Sequence, residues 1–200
     1  MSLYQLKPRF QALLRPLVVG LANAGVTANQ VTLAACLVSL LVGGLVLAFP
    51  GRPGLFLLLP VWLFLRMALN AIDGMLAREF GQKSTLGGYL NELCDVVSDA
   101  ALILPFAILP AFGPEWVAGV VFLAALGEYA GVMGPLVGAS RRYDGPLGKS
   151  DRALLFGALG FWIGAGLPQP QWLWWLMPAV ALLLVWTLVN RVRRGVAEVR

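Results

Sequence analysis

Six apolar stretches, each close to the ~20 residues that cross a bilayer, dominate this 200-residue chain. They run over roughly residues 28–49, 54–78, 86–111, 115–139, 149–167 and 171–192. Hydrocarbon offers no partner to backbone N–H and C=O groups, so segments of this kind satisfy them internally, as helices. The breaks carry proline and glycine punctuation: Pro50 to Pro53, Gly81 to Ser84, Gly113-Pro114, Asp144-Gly145-Pro146 and Pro168-Gln169-Pro170. Residues of these types stop regular structure because they fix or free the backbone angles. Composition agrees, with 59% hydrophobic residues and only 12% charged, about half the charged share of a soluble domain. The expectation is an all-α integral membrane protein, a single membrane domain over residues 1–200 with six transmembrane helices.

An amphipathic juxtamembrane helix should precede the first span. Phe10, Leu13, Leu14, Leu17, Val18 and Leu21 recur at helical spacing and form one apolar stripe. Residues 8–24 are therefore expected to lie on the membrane surface, with Pro8 in the first turn and a kink at Pro16. Lys7, Arg9 and Arg15 interrupt any apolar core, which argues against a cleavable signal peptide. Gly25 breaks the helix, and Thr27 with Gln30 has capping-box spacing. The first span should begin at about Ala28.

Basic residues orient the chain. Lys7, Arg9, Arg15, Arg78, Lys83, Arg141, Arg142, Lys149, Arg152, Arg191, Arg193 and Arg194 fall at one set of span ends, and the opposite set holds only Arg52. By the positive-inside rule both termini and the second and fourth loops face the cytoplasm, as in a bacterial inner membrane protein. Trp116, Trp172, Trp174 and Trp175 fall at the other surface, where interfacial tryptophans belong. This asymmetry accounts for the net charge of +5 without a nucleic acid. The chain has no histidine, which excludes a Ser-His-Asp hydrolase and any histidine-ligated metal. Cys36 and Cys94 lack metal-ligand spacing.

The polar residues concentrate in one place, Asn70 to Asp99. Ionisable groups at membrane depth are costly and mark function. Asn70, Asp73 and Ala77 share one face of the second span; Asn91, Asp95 and Asp99 share one face of the third, with Gly87 a turn earlier. A short loop makes these spans antiparallel neighbours whose faces are expected to meet. Aspartate and asparagine oxygens suit hard cations such as Mg²⁺ or Mn²⁺. Gly74, Ala77 and Gly87 would leave room for a bulky head group, and Arg78 can pair with phosphate.

This pattern closely resembles the signature of the CDP-alcohol phosphotransferases, D-x-x-D-G-x-x-A-R-x8-G-x-x-x-D-x-x-x-D. Asn70 and Asn91 stand at two of its four acidic positions. The flanking GVTANQVTL and GPLGKSDRA also look like family segments. The resemblance implies transfer of a phosphoalcohol, typically phosphatidyl, unit from a CDP-linked lipid such as CDP-diacylglycerol to a small alcohol, with release of CMP in phospholipid biosynthesis. It implies Asn70, Asp73, Asn91 and Asp95 as metal positions for Mg²⁺ or Mn²⁺, and Asp95 as the catalytic base. Gly74, Ala77, Arg78 and Gly87 match nucleotide-contacting positions. The family also implies a homodimer, for which Gly127, Gly131 and Gly134 supply small residues, although these equally serve packing within one subunit.

Arg141, Arg142, Lys149 and Arg152 have two readings, a positive-inside anchor and a weak site for an anionic acceptor. Glu128 reads as a helix–helix hydrogen-bonding partner, and Arg66 as snorkelling or paired with an acid. Two other functions compete with transfer: a catalytically inactive relative that binds lipid or nucleotide, and a transporter or proton channel lined by Asp73, Asp95 and Asp99. A carrier spreads its polar residues over more spans. The acceptor alcohol is not written in the sequence.

Overall fold

The computed structural model describes residues 3–200, with side chains from Phe10 onward. The side chains of Lys7, Pro8 and Arg9 lie outside the described ones. Seven helices follow in order: α1 (Leu3–Asn23), α2 (Ala28–Ala48), α3 (Leu58–Glu79), α4 (Thr85–Ile103), α5 (Pro114–Met133), α6 (Lys149–Gly164) and α7 (Leu176–Glu198). Short 3-10 turns precede α3 and α7 and follow α4 and α5, and no strand occurs among the described residues.

Local signals set the ends. Thr27 caps α2: its hydroxyl accepts from the Gln30 N–H at 3.3 Å, and the Gln30 side chain accepts from the Thr27 N–H at 2.9 Å. Gly25 turns the chain at φ +76°, a conformation glycine adopts without a Cβ penalty. Helix α1 starts earlier than expected and runs unbroken through Pro16. One proline removes a single backbone bond, and the neighbouring bonds carry the helix past it. The expected third and fourth spans are shorter as α-helix, ending at Ile103 and Met133, because Pro105 and Pro135 have no N–H to donate and their rings crowd the preceding turn.

Among the described residues, four segments are long and apolar enough to cross a membrane: Ala28–Ala48, Pro53–Glu79, Pro114–Val137 and Gln171–Glu198. Helix α4 carries Glu92, Asp95 and Asp99, and α6 has only 16 residues. Large apolar side chains face outward on several helices, among them Leu41, Phe64, Leu154 and Leu182. An exterior this apolar suits lipid rather than water.

Packing departs from expectation at one point. Helices α3 and α4 have little direct backbone contact; α2 packs against both, α6 against α3, and α7 against α5. Gly43 lets α2 approach α4 so closely that a Cβ there would overlap the Ala101 carbonyl. Gly160 admits Leu59 and the Phe56 carbonyl against α6 in the same way. The space between the motif halves of α3 and α4 is bridged by long charged side chains.

The apolar core fills the end remote from the motif. Phe106 stands at its centre, with ring centroids of Phe56, Phe112 and Phe156 at 5.2, 5.5 and 5.3 Å. A smaller cluster of Val18, Ala28, Val31, Ile72, Met75 and Leu76 joins α1, α2 and α3 near the motif. Val18 is fully buried, while Leu13 and Leu17 of the same stripe remain exposed. Gly127, Gly131 and Gly134 are spent inside the subunit, against Arg191, the Arg142 carbonyl and the Ser140 carbonyl respectively. They serve packing within the subunit, one of the two roles open to small residues here.

Candidate active site

The motif end is organised by charge. Asp73 on α3 is 5% exposed, and Thr32 of α2 donates to its Oδ2 at 2.8 Å. Asp95 lies about 15 Å along α4 at ~1.5 Å per residue. Its Oδ1 forms an ion pair with Lys149 and lies 3.4 Å from Arg66 Nη2. Lys149 of α6 thus reaches α4 at Asp95, while α6 itself packs on α3.

Below this, Asp99 is clamped from two sides. Arg66 donates to Oδ1 at 2.7 Å, and Arg152 donates to Oδ2 from Nε at 3.0 Å and Nη2 at 2.7 Å. Arg152 also donates to Glu128 Oε1 at 2.8 Å, and Arg191 lies 3.4 Å from Glu128 Oε2. Arg66, Arg152 and Arg191 are each no more than 2% exposed. Buried guanidinium groups of this kind survive only when paired and hydrogen-bonded. The network ties α3, α4, α5, α6 and α7 together. Arg66 is thus paired rather than snorkelling, Glu128 is a helix–helix partner, and Arg191 is an interior residue rather than an orienting surface charge.

Each of the four basic residues weighed for an anionic acceptor already has a carboxylate. Arg141 pairs with Glu92, Arg142 with Asp144 and Glu198, Lys149 with Asp95, and Arg152 with Asp99 and Glu128. Arg141 also stacks over the Tyr143 ring at 5.0 Å. Asp99, which follows the motif by one turn, points at two arginines and is not available to a cation.

The small residues are close-approach positions. At Gly74 a Cβ would meet the Arg78 guanidinium at 3.0 Å, so Arg78 folds back over this glycine. At Gly87 a Cβ would meet the Asn29 carboxamide oxygen at 2.7 Å. The room foreseen for a head group is thus held by two movable polar side chains. Ala77 packs against the α1–α3 cluster. Thr32 and Asn29 lie within the family-like GVTANQVTL segment, where their signal as site residues is polar side chains about a turn apart at the start of an otherwise apolar span.

Oxygen donors at Asn70, Asp73, Asn91 and Asp95 suit a hard divalent cation. Asn70 Nδ2 is buried without a hydrogen-bond partner among the described residues, and Asn91 Nδ2 donates only to the neighbouring Glu92, at 3.3 Å. Neither carboxamide oxygen takes part in those contacts. Among the described residues no three or more of His, Cys, Asp and Glu are grouped to hold a metal. Two carboxylates and two carboxamides fit one divalent ion better than two, because each missing carboxylate removes Coulomb attraction.

Residues 25–188 match the profile of the CDP-alcohol phosphatidyltransferases. The chain is 50% identical over 196 residues to the inner membrane protein YnbA of Escherichia coli, covering 96% of each. It is 31% identical over 127 residues to the archaetidylinositol phosphate synthase of Pyrococcus horikoshii, covering 64% of this chain and 63% of the relative. The fold is similar to that of Mycobacterium tuberculosis phosphatidylinositol phosphate synthase with CDP-DAG bound, at TM-score 0.72 and 22% identity, over 90% and 92% of the two chains. The same enzyme in complex with manganese and citrate also gives TM-score 0.72 at 22% identity, over 90% and 87%. The chain belongs to the CDP-alcohol phosphatidyltransferase family.

Proposed function

We propose that this family member transfers a phosphatidyl or related phosphoalcohol unit from a CDP-linked lipid to a small alcohol and releases CMP. The observation that carries this reading is the buried polar end of a lipid-facing helical bundle, where Thr32 holds Asp73 and Lys149 and Arg66 hold Asp95. A greasy surround suits acyl chains, and the polar end suits a nucleotide diphosphate. The bound CDP-DAG and manganese of the mycobacterial structures are what such a site would take.

Asn70, Asp73, Asn91 and Asp95 would hold the divalent ion, Mg²⁺ or Mn²⁺, which supplies positive charge to a diphosphate. Thr32 fixes the Asp73 carboxylate. Arg78, released from Gly74, would pair with phosphate, and Gly74 and Gly87 would admit the nucleotide as Arg78 and Asn29 move. Asp95 would accept the proton of the acceptor hydroxyl as that oxygen bonds to phosphorus and the bond to CMP breaks. With Arg141, Arg142, Lys149 and Arg152 all paired, a neutral or zwitterionic alcohol suits the site better than a sugar or polyol phosphate.

In the membrane we assign six spans, adding α4 and α6 to the four long apolar segments, with α1 on the surface and both termini cytoplasmic. The inner membrane is the expected location, supported by the relative that is 50% identical. A homodimer rests on family resemblance alone. The compensated acids favour a second reading, an inactive relative that keeps nucleotide or lipid binding.

Purified protein with CDP-diacylglycerol, Mg²⁺ or Mn²⁺ and a panel of alcohols tests the proposal. CMP should appear only with an alcohol and a divalent ion, and should vanish in Asp95→Asn. Binding of the donor without CMP from any alcohol would select the inactive reading instead.

A further inference from the structure

In the pocket assigned above to the CDP-linked donor, and resting on that reading, we propose that the Lys149 ammonium takes one of the cation positions. The site then binds one divalent ion per chain. Four carboxylates at the motif positions would carry a charge of −4, matched by two divalent ions; Asp73 and Asp95 alone carry −2. Lys149 forms an ion pair with Asp95, one of those two remaining carboxylates. Its side chain is only 22% exposed.

Its location reinforces the point. Lys149 opens α6, the helix end where the dipole disfavours a cation. It is held there by Asp95, against the like charge of Arg152 one turn on, whose guanidinium is neutralised by Asp99 and Glu128. The surrounding charge is already balanced. Glu92, Asp73, Asp95, Asp99 and Glu128 face Arg66, Arg141, Lys149, Arg152 and Arg191. A first divalent ion makes this cluster positive, and a second meets repulsion with no spare carboxylate. Restoring carboxylates at Asn70 and Asn91 and removing Lys149 reverses both conditions.

Mn²⁺ titration of the full chain in nanodiscs, read by electron paramagnetic resonance, tests this without activity. The natural chain should bind one Mn²⁺ with an isolated six-line signal. The triple variant Asn70→Asp, Asn91→Asp, Lys149→Met should bind two, with an exchange-coupled signal. Lys149→Met alone should bind its single ion about tenfold tighter or more, because a unit charge beside a divalent ion in a poorly solvated site outweighs one decade. Two coupled ions in the natural chain would overturn the proposal and leave the transferase reading intact. Unchanged Mn²⁺ affinity in Lys149→Met would also overturn it. No Mn²⁺ bound at all would overturn it too, and with no CDP-diacylglycerol bound either, the transferase reading would fall with it.

Discussion

Replacing Asp99 by asparagine should be among the most damaging single changes in this chain. Asp99 receives three charge-assisted hydrogen bonds, one from Arg66 at 2.7 Å and two from Arg152 at 3.0 and 2.7 Å. The arginine side chains are 2% and 3% exposed. Asparagine keeps the shape and one acceptor oxygen but leaves two buried guanidinium groups short of a negative charge. Removing one partner of a buried pair costs about 3–5 kcal/mol. At roughly 2–4 °C per kcal/mol for a chain of this size, the apparent midpoint should fall by about 6–20 °C. Thermal unfolding in mild detergent, followed by tryptophan fluorescence at a fixed scan rate, reads this directly. Arg15→Ala provides the contrast: it breaks the Arg15–Glu79 pair, 2.6 Å long but with side chains 57% and 35% exposed, and pairs of that kind contribute about 0–1 kcal/mol. Asp99→Asn combined with Arg152→Met should cost less than the sum of the two single changes, since both charges leave together. If Asp99→Asn unfolds within a degree or two of the natural chain, water reaches these guanidinium groups and the network does not hold the helices.

Gly43→Ala should destabilise by about 1–3 kcal/mol, because the new methyl overlaps the Ala101 carbonyl, whereas Gly44→Ala faces open space and should be neutral or stabilising. The same unfolding assay ranks them. Thr32→Val removes the hydroxyl 2.8 Å from Asp73 and should lower CMP release with little change in stability, measured as kcat on CDP-diacylglycerol. Gly87→Leu should raise the KM for the donor, since its side chain enters the space held by Asn29. Cysteines introduced beside Arg52 and Lys149 should label from opposite sides of the membrane; equal labelling from outside would refute the assigned topology.

Much of the fold is written locally. The Thr27–Gln30 capping box, the left-handed Gly25 and the prolines at 105 and 135 act on their own neighbours in the chain, so helix ends follow from them without reference to the rest. The family motif is local in the same sense, because its spacing alone puts Asn70 with Asp73 and Asn91 with Asp95 on single helix faces. What faces those residues is decided in three dimensions. Nothing in the sequence says that α2, rather than direct contact, would join α3 to α4, or that Gly43 would set the distance. Arg152 and Arg191 look like surface anchors by position, yet the fold buries them against Asp99 and Glu128. Gly127, Gly131 and Gly134 suit an outer face and interior packing equally by sequence, and the fold uses them to make room for Arg191 and the α5–α6 loop. A charge buried in a bundle must find its partner on another helix, and partners 24 to 64 residues away are fixed by packing, which no local pattern encodes.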